Sequence, residues 1–224
     1  KTFAGTPEYF APEVDPKRRA GGINEGYGVK ADCYSFGACI YVVLSGIFPE
    51  FETPFELLEF ACELRDLSGG KPVGIKLCIG HPWEFIAIVK AMVTSKQCLD
   101  FITVDGAEGG TGAAPAEFAD HLGSPLTDAL IFVDNALKGA GLRDRVKIAA
   151  SGKIVSAYDV VKHCALGADW INMARPFMFS IGCIQCRSCH TGECPTGIAT
   201  MDPMRYRAID IEDRSNRAYN FHRN

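Results

Sequence analysis

From residue 53 onward the chain alternates two hydrophobic rhythms. Short, near-continuous apolar runs lie at Pro72–Leu77, Phe101–Val104, Val146–Ala150 and Trp170–Met173. Between them lie longer stretches whose apolar residues recur at helical spacing: Pro54–Leu64, Pro82–Val93, Leu126–Lys138 and Ser156–Leu166. Thr53 precedes Pro54 as a cap with proline at the first helical position, and Ser68-Gly69-Gly70 stops the helix. Apolar runs that do not alternate predict strands buried on both faces of a parallel sheet. Residues after about 200 are polar without a strong period and are expected to wrap the surface.

The first fifty residues have a different character. A Gly/Pro-rich stretch, a basic patch (Lys17, Arg18, Arg19) and the loop Gly21–Gly28 lead into one apolar segment, Ala31–Leu44. Its apolar residues are not confined to one stripe, which predicts a helix buried on most sides. The longest apolar stretch, Phe36–Phe48, is interrupted by Gly and Ser and is shorter than the roughly 18–20 residues of a membrane span. No membrane or nucleic-acid partner is expected: net charge is −4, from 23 basic and 27 acidic residues. The chain begins at Lys1, just before a motif at Gly5, and so resembles a piece of something longer.

Chemistry in a parallel α/β fold collects at the carboxyl ends of the strands. Lys76 lies inside the first run, where a lysine needs a partner at the mouth. The second run leads into Asp105-Gly106-Ala107-Glu108-Gly109-Gly110-Thr111-Gly112, whose glycines permit close backbone approach to a ligand. Ser151-Gly152-Lys153 and Met173-Ala174-Arg175-Pro176 follow the third and fourth runs and suit a phosphate grip, with Lys153 or Arg175 supplying charge. Ten cysteines are present. Six are dispersed (Cys33, Cys39, Cys62, Cys78, Cys98, Cys164) and predict buried free thiols. Cys183, Cys186, Cys189 and Cys194 crowd one short segment that ends in Cys194-Pro195. Such a segment fits an iron–sulfur loop, or zinc held by four Cys or by three Cys and His190.

Four stretches together resemble the FMN-binding domain of glutamate synthase, and most of all its shorter prokaryotic forms. They are Ser68–Leu77, Val104–Pro115, Gly141-Leu142-Arg143-Asp144-Arg145 and Gly182–Thr200. The resemblance covers residues 52–224 and implies the last four βα units of a TIM (β/α)8 barrel. It implies Lys76 as the catalytic residue beside FMN and the 2-oxoglutarate site. It places Asp105, Gly109, Gly110 and Thr111 against flavin and substrate, and Ser151, Gly152, Lys153, Ala174 and Arg175 on the FMN phosphate. Cys183, Cys189 and Cys194 match the ligands of a [3Fe-4S] cluster, and Cys186 is extra to that pattern. Ala150-Ser151-Gly152-Lys153 stands where the large synthases have Ala-Asp-Gly-Gly. The implied reaction is reductive amination of 2-oxoglutarate through 2-iminoglutarate. Its partners would be ammonia or glutamine-derived nitrogen and an electron-donor protein or reductase subunit. The implied location is the cytoplasm, or a plastid in a photosynthetic eukaryote.

Residues 1–49 instead resemble the end of a serine/threonine kinase activation segment. Gly5–Val14 includes Ala11-Pro12-Glu13, and Ala31–Gly37 with Leu44–Pro49 resembles the helix that follows. Tyr34 stands where a Trp is usual, and the ATP lysine and catalytic Asp are not in these residues, so kinase activity is not expected of them. The expected organisation is a short, mostly helical kinase-like segment at 1–49 joined to a partial barrel at 50–224, a chimera. With half its barrel missing, the chain is expected to be inactive by itself. The alternatives are a kinase fragment and a non-catalytic remnant whose cysteine loop only binds metal.

Overall fold

The computed structural model describes residues 52–106, 121 and 123–223. The Ala31–Leu44 helix, the kinase-like segment, Cys33, Cys39, and Gly109, Gly110 and Thr111 lie outside these residues. Within them, helices and strands alternate: α1 (Pro54–Leu67), β1 (Gly74–Cys78), α2 (Pro82–Ser95), β2 (Phe101–Asp105), α3 (Leu126–Gly139), β3 (Lys147–Ser151), α4 (Ala157–Ala165) and β4 (Trp170–Asn172). Three further helices follow: α5 (Arg175–Ser180), α6 (Pro203–Tyr206) and α7 (Ile211–Arg223). A 3₁₀ turn at Cys189–Thr191 lies between α5 and α6.

The four strands form one parallel sheet in the order β1-β2-β3-β4, as the apolar runs predicted. Side chains alternate across a strand, so the register sorts them into two faces. One face carries Ile75, Leu77, Ile102, Val104, Ile148, Ala150 and Ile171. These pack with Leu58, Phe85, Val89, Met92, Leu130, Val133 and Leu137 from the helices as one core. The other face carries Lys76, Cys78, Thr103, Asp105, Ala149, Ser151, Trp170 and Asn172. Phe101 and Trp170 meet edge to face on it, with centroids 5.6 Å apart. Gly74 is required beside them, because a Cβ there would come within 2.5 Å of the Phe101 ring.

Local chemistry starts the helices where the sequence predicted. Thr53 and Glu56 form a reciprocal capping box on α1, and Ser156 and Asp159 form one on α4. The C-terminal region lies on the surface as expected, and there Ile211–Arg223 forms a regular helix with no buried residue. Asp210 caps it by accepting from the Asp213 N–H at 3.0 Å. The Asp213–Arg217 pair, one turn apart, braces its outer side, so it needs no strong apolar period. Phe221 anchors α7 to Phe177 of α5, with centroids 5.1 Å apart. Cys164 also departs from expectation: it is exposed on α4, whereas Cys62, Cys78 and Cys98 are half-buried, all as free thiols. Among the described residues no helix is long and apolar enough to cross a membrane.

Ion pairs fasten the amino-terminal end of the sheet. Arg65 grips Asp100 with two nitrogens at 3.0 and 2.8 Å, and Asp100 also accepts from the Val73 N–H at 2.7 Å. Arg143 reaches Asp134 at 2.8 Å, Asp169 at 2.9 Å and the Gly167 carbonyl at 2.7 Å. It thereby ties α3 to the loop between α4 and β4. Gly167 is needed there: its φ is +117° and a Cβ would lie 2.7 Å from the Asp134 carboxyl carbon. Burial pushes the Asp134 carboxyl up, but Lys138 and Arg143 outweigh it and hold it below its ordinary range. Burial acts the same way on Asp169, where the Ile148 N–H, Arg143 and Lys147 prevail.

Arg143→Ala leaves the Asp134 carboxylate, whose side chain is only 8% exposed, with Lys138 alone and removes the grip on Asp169, and is expected to cost about 2 kcal/mol in chemical denaturation. Carboxyls depressed in the folded state stabilise it above their unfolded pKa, about 3.9 for Asp, and lose that effect as pH falls through the folded value. The thermal stability of the parent chain therefore falls below about pH 4, and less steeply in Arg143→Ala.

Candidate active site at the carboxyl ends of the strands

The register lines four residues in one row at the end of the sheet. Cys78 stands opposite Asp105, Asp105 opposite Ser151, and Ser151 opposite Asn172. Lys76 lies two residues before Cys78 on the same face. Its stem climbs diagonally and its Nζ meets the Asp105 carboxylate at 2.9 Å. The lysine side chain is 52% exposed and the aspartate 19%, so the pair sits at the rim, with the ammonium toward solvent. Burial pushes the Cys78 thiol up, and the Asp105 charge adds to the effect. One carboxylate thus faces a lysine and a thiol.

Two glycines shape the next part of the row. The Gly106 N–H donates to the Ser151 carbonyl at 2.8 Å, carrying the β2–β3 pairing one residue past the strands. A Cβ on Gly106 would lie 2.6 Å from the Leu126 Cβ, and one on Gly152 would lie 3.2 Å from the Gly106 nitrogen. The chain turns away from β3 through left-handed φ values at Gly152 (+141°) and Lys153 (+43°). Ala174 immediately precedes α5, and Arg175 and Pro176 open it. Ser151, Gly152, Lys153, Ala174 and Arg175 therefore come from the ends of two adjacent strands, the placement the sequence predicted. A hydroxyl, backbone amides and two cations form a donor set that suits a phosphate.

The row also contains Cys78 and Asn172, which sequence reasoning did not single out. The signal was present. Counting by twos along β1 from Lys76 reaches Cys78, and the register carries that row across to Asn172.

The cysteine loop runs on from α5. Cys183 and Cys189 are half-buried, Cys186 is exposed and Cys194 is buried. Five residues between 182 and 197 have left-handed φ values: Gly182, Gln185, Arg187, Gly192 and Gly197. The Gln185 N–H donates to the Cys183 sulfur at 3.4 Å. Burial pushes the Cys194 thiol up, but the Thr196 hydroxyl and the N–H groups of Ala199, Thr196 and Ile198 outweigh it and bring its pKa to about 7. Donors aimed at sulfur stabilise thiolates, the form that ligates metal. Among the described residues no three Cys, His, Asp or Glu side chains are gathered as a set for a single ion. Arg214 of α7 lies over Gly182, where a Cβ would come within 2.6 Å of its guanidinium.

The family model for the conserved region in glutamate synthase matches residues 47–224. The chain belongs to the glutamate synthase family. That match takes in every strand and helix described above and begins a few residues before the boundary expected at 49/50. A glutamate synthase large subunit-like protein, YerD, of Bacillus subtilis is 48% identical over 174 residues, covering 78% of this chain and 33% of its own length. An archaeal glutamate synthase [NADPH] of Methanocaldococcus jannaschii is 41% identical over 150 residues, 67% of this chain and 29% of that protein. The glutamate synthase [NADPH] large chain of Bacillus subtilis is 38% identical over 148 residues, 66% of this chain and 10% of that one. The chain thus spans a third or less of the length of these relatives. Among solved structures, a flavocytochrome b2 variant with sulfite bound matches 53% of this chain and 28% of its own, with 17% identity and a TM-score of 0.36. A likeness that slight carries no argument.

The Cys78 thiol offers a direct check on the row. Burial first, and the Asp105 charge second, hold it in the unreactive protonated form, so Asp105→Asn is expected to speed its alkylation by iodoacetamide at neutral pH modestly, by removing the smaller of the two causes. Peptide mapping by mass spectrometry reads the rate at Cys78 separately from the other thiols.

Proposed function

We propose that this chain carries the FMN- and cluster-binding half of a glutamate synthase-type oxidoreductase. The observation that carries the reading is the family match, which runs unbroken through the strand-end row and the cysteine loop. In this reading the four-stranded sheet is the last four βα units of a (β/α)8 barrel, and its polar face is the barrel interior. In the same reading residues 1–49 would be a separate segment similar to part of a protein kinase, of which the family match takes in only the last few residues.

Ser151, Gly152, Lys153, Ala174 and Arg175 would hold the FMN phosphate. Asp105 and Lys76 would face the ring and the substrate, together with Gly109, Gly110 and Thr111. When bound, FMN supplies the hydride that reduces an imine of 2-oxoglutarate to glutamate. Lys76 gives the mouth a cation with three N–H donors, and Asp105 takes one of them, which fixes the direction of the others. The ammonium can then meet a carboxylate or imine nitrogen from a set position, an arrangement that lowers reorganisation during the reaction. Cys183, Cys189 and Cys194 would hold an iron–sulfur cluster, which supplies one-electron transfer when present. A multinuclear cluster spreads its thiolates further apart than a single ion does, and donors on the Cys183 and Cys194 sulfurs suit its negative charge. The nitrogen donor, 2-oxoglutarate and a protein or subunit that delivers electrons are the partners this reading requires, with the cytoplasm or a plastid as the place.

Turnover needs the remainder of a barrel, so binding is the direct readout. The chain is reconstituted anaerobically with FMN, ferrous iron and sulfide, desalted, and its flavin, iron and sulfide are quantified. Retention of FMN is expected, with at least tenfold weaker binding in Lys153→Ala/Arg175→Ala. Loss of iron, with flavin kept, is expected in Cys189→Ser. A parent chain that retains neither flavin nor iron would overturn the reading.

A further inference from the structure

We propose that the partner completing this sheet is a second copy of the chain. The free edge of β4 in each copy pairs with the free edge of β1 in the other, and two four-stranded sheets close as one eight-stranded parallel barrel. This rests on the reading of the polar face as a barrel interior, and it names what supplies the other half.

Among the described residues, the order β1-β2-β3-β4 leaves one side of β1 and one side of β4 without a strand. The central strands each bury three consecutive residues, 102–104 and 148–150, whereas β1 and β4 bury none. Open edges of this kind are templates for another strand. All four strands are parallel, so the β4 edge can take β1 of a second copy in the same direction. A twofold rotation makes the reciprocal seam, and no edge is then left for a third copy.

The inner face carries the stagger that such a closure demands. In a barrel of eight strands the register shifts by about eight residues around the circumference, or about one per strand. Inward side chains therefore form layers from alternate strands, with a shift of about two residues between one contributing strand and the next. Phe101 on β2 and Trp170 on β4 are related in this way. The register row of Trp170 runs through Ala149 to Thr103, two residues beyond Phe101. The rings of Phe101 and Trp170 nevertheless meet, with centroids 5.6 Å apart. Their neighbours in register are small: Gly74 on β1 beside Phe101, and Ala149 on β3 beside Trp170. Large residues on β2 and β4 thus alternate with small ones on β1 and β3, as in one layer of a barrel interior. Such a layer takes roughly four side chains, and one copy supplies two. Trp170 accordingly remains 38% exposed on a single copy. The same two residues of a second copy complete the set and bury it.

Sedimentation velocity on the full chain, together with the fluorescence of Trp170, tests the closure. The chain has two tryptophans, so Trp83→Phe leaves Trp170 as the only one. We expect a species of twice the chain mass and none larger. In that dimer Trp170 should be quenched by acrylamide about tenfold less than in the urea-unfolded chain, because a packed interior excludes the quencher. Trp170→Lys puts a charge into the layer and should be monomeric, with the far-UV dichroism of the parent, since residue 170 lies outside the helix-packed core. Trp83→Lys changes another exposed aromatic, on α2, and should stay dimeric. Should Trp170→Lys not fold, the quenching in Trp83→Phe decides alone. A monomer, a ladder of larger species, a dimer lost in Trp83→Lys, or a dimer whose Trp170 stays open to acrylamide would overturn the second copy and leave both edges to a different chain. Flavin retention is scored separately. A monomer that keeps FMN would overturn the closure alone, whereas a dimer without FMN would support the closure and overturn the cofactor reading.

Discussion

In-register pairing of four parallel strands is the constraint on which the rest of this structure depends. Because side chains alternate along each strand, one register decides both the core and the site. Every second residue enters the helix-packed core, and the others form a polar face. A slip of one residue on β2 would bury Asp105 and Thr103 among Phe85, Val89 and Leu130 and would take Asp105 out of reach of Lys76. The apolar core therefore enforces the row Cys78–Asp105–Ser151–Asn172 without any of these four residues contributing much to it.

The two ends of the sheet divide the electrostatic work. At the amino-terminal end, Arg65 and Arg143 are committed to carboxylates and carbonyls, with several partners each. These contacts join loops that the sheet alone would leave separate, and the Asp134 and Asp169 carboxyls are held below their ordinary range. The carboxyl-terminal end is built differently. Lys76 keeps a single aspartate, and the glycines at 106 and 152 leave room where side chains would otherwise close the space.

Much of this was legible in the sequence, for identifiable reasons. The four strands could be found because buried parallel strands are short and uniformly apolar, and α1 and α4 because Thr53 and Ser156 announce their own caps. The positions of Ser151–Lys153 and Ala174–Arg175 just past β3 and β4 could be read because the apolar runs end there. What escaped was set by relations between segments. Cys78 and Asn172 look ordinary in their own strands and acquire meaning only through the register. Gly141-Leu142-Arg143-Asp144-Arg145 could be matched to a family, but the hold of Arg143 on Asp134 and Asp169 depends on residues distant in sequence. Helix α7 was not read as a helix because its polar composition hides the apolar stripe, which packs through Phe221 and His222 on Phe177, with Arg214 over Gly182.

Amide hydrogen exchange with and without FMN tests the central claim, that the carboxyl ends of these strands form the cofactor site, more directly than any other measurement. The account predicts slowed exchange at Gly106, Gly109–Thr111, Ser151–Lys153 and Ala174–Arg175, with the amino-terminal ends of β1–β4 unchanged. Protection at the amino-terminal ends, or no change at the strand-end amides while flavin is bound, would contradict it.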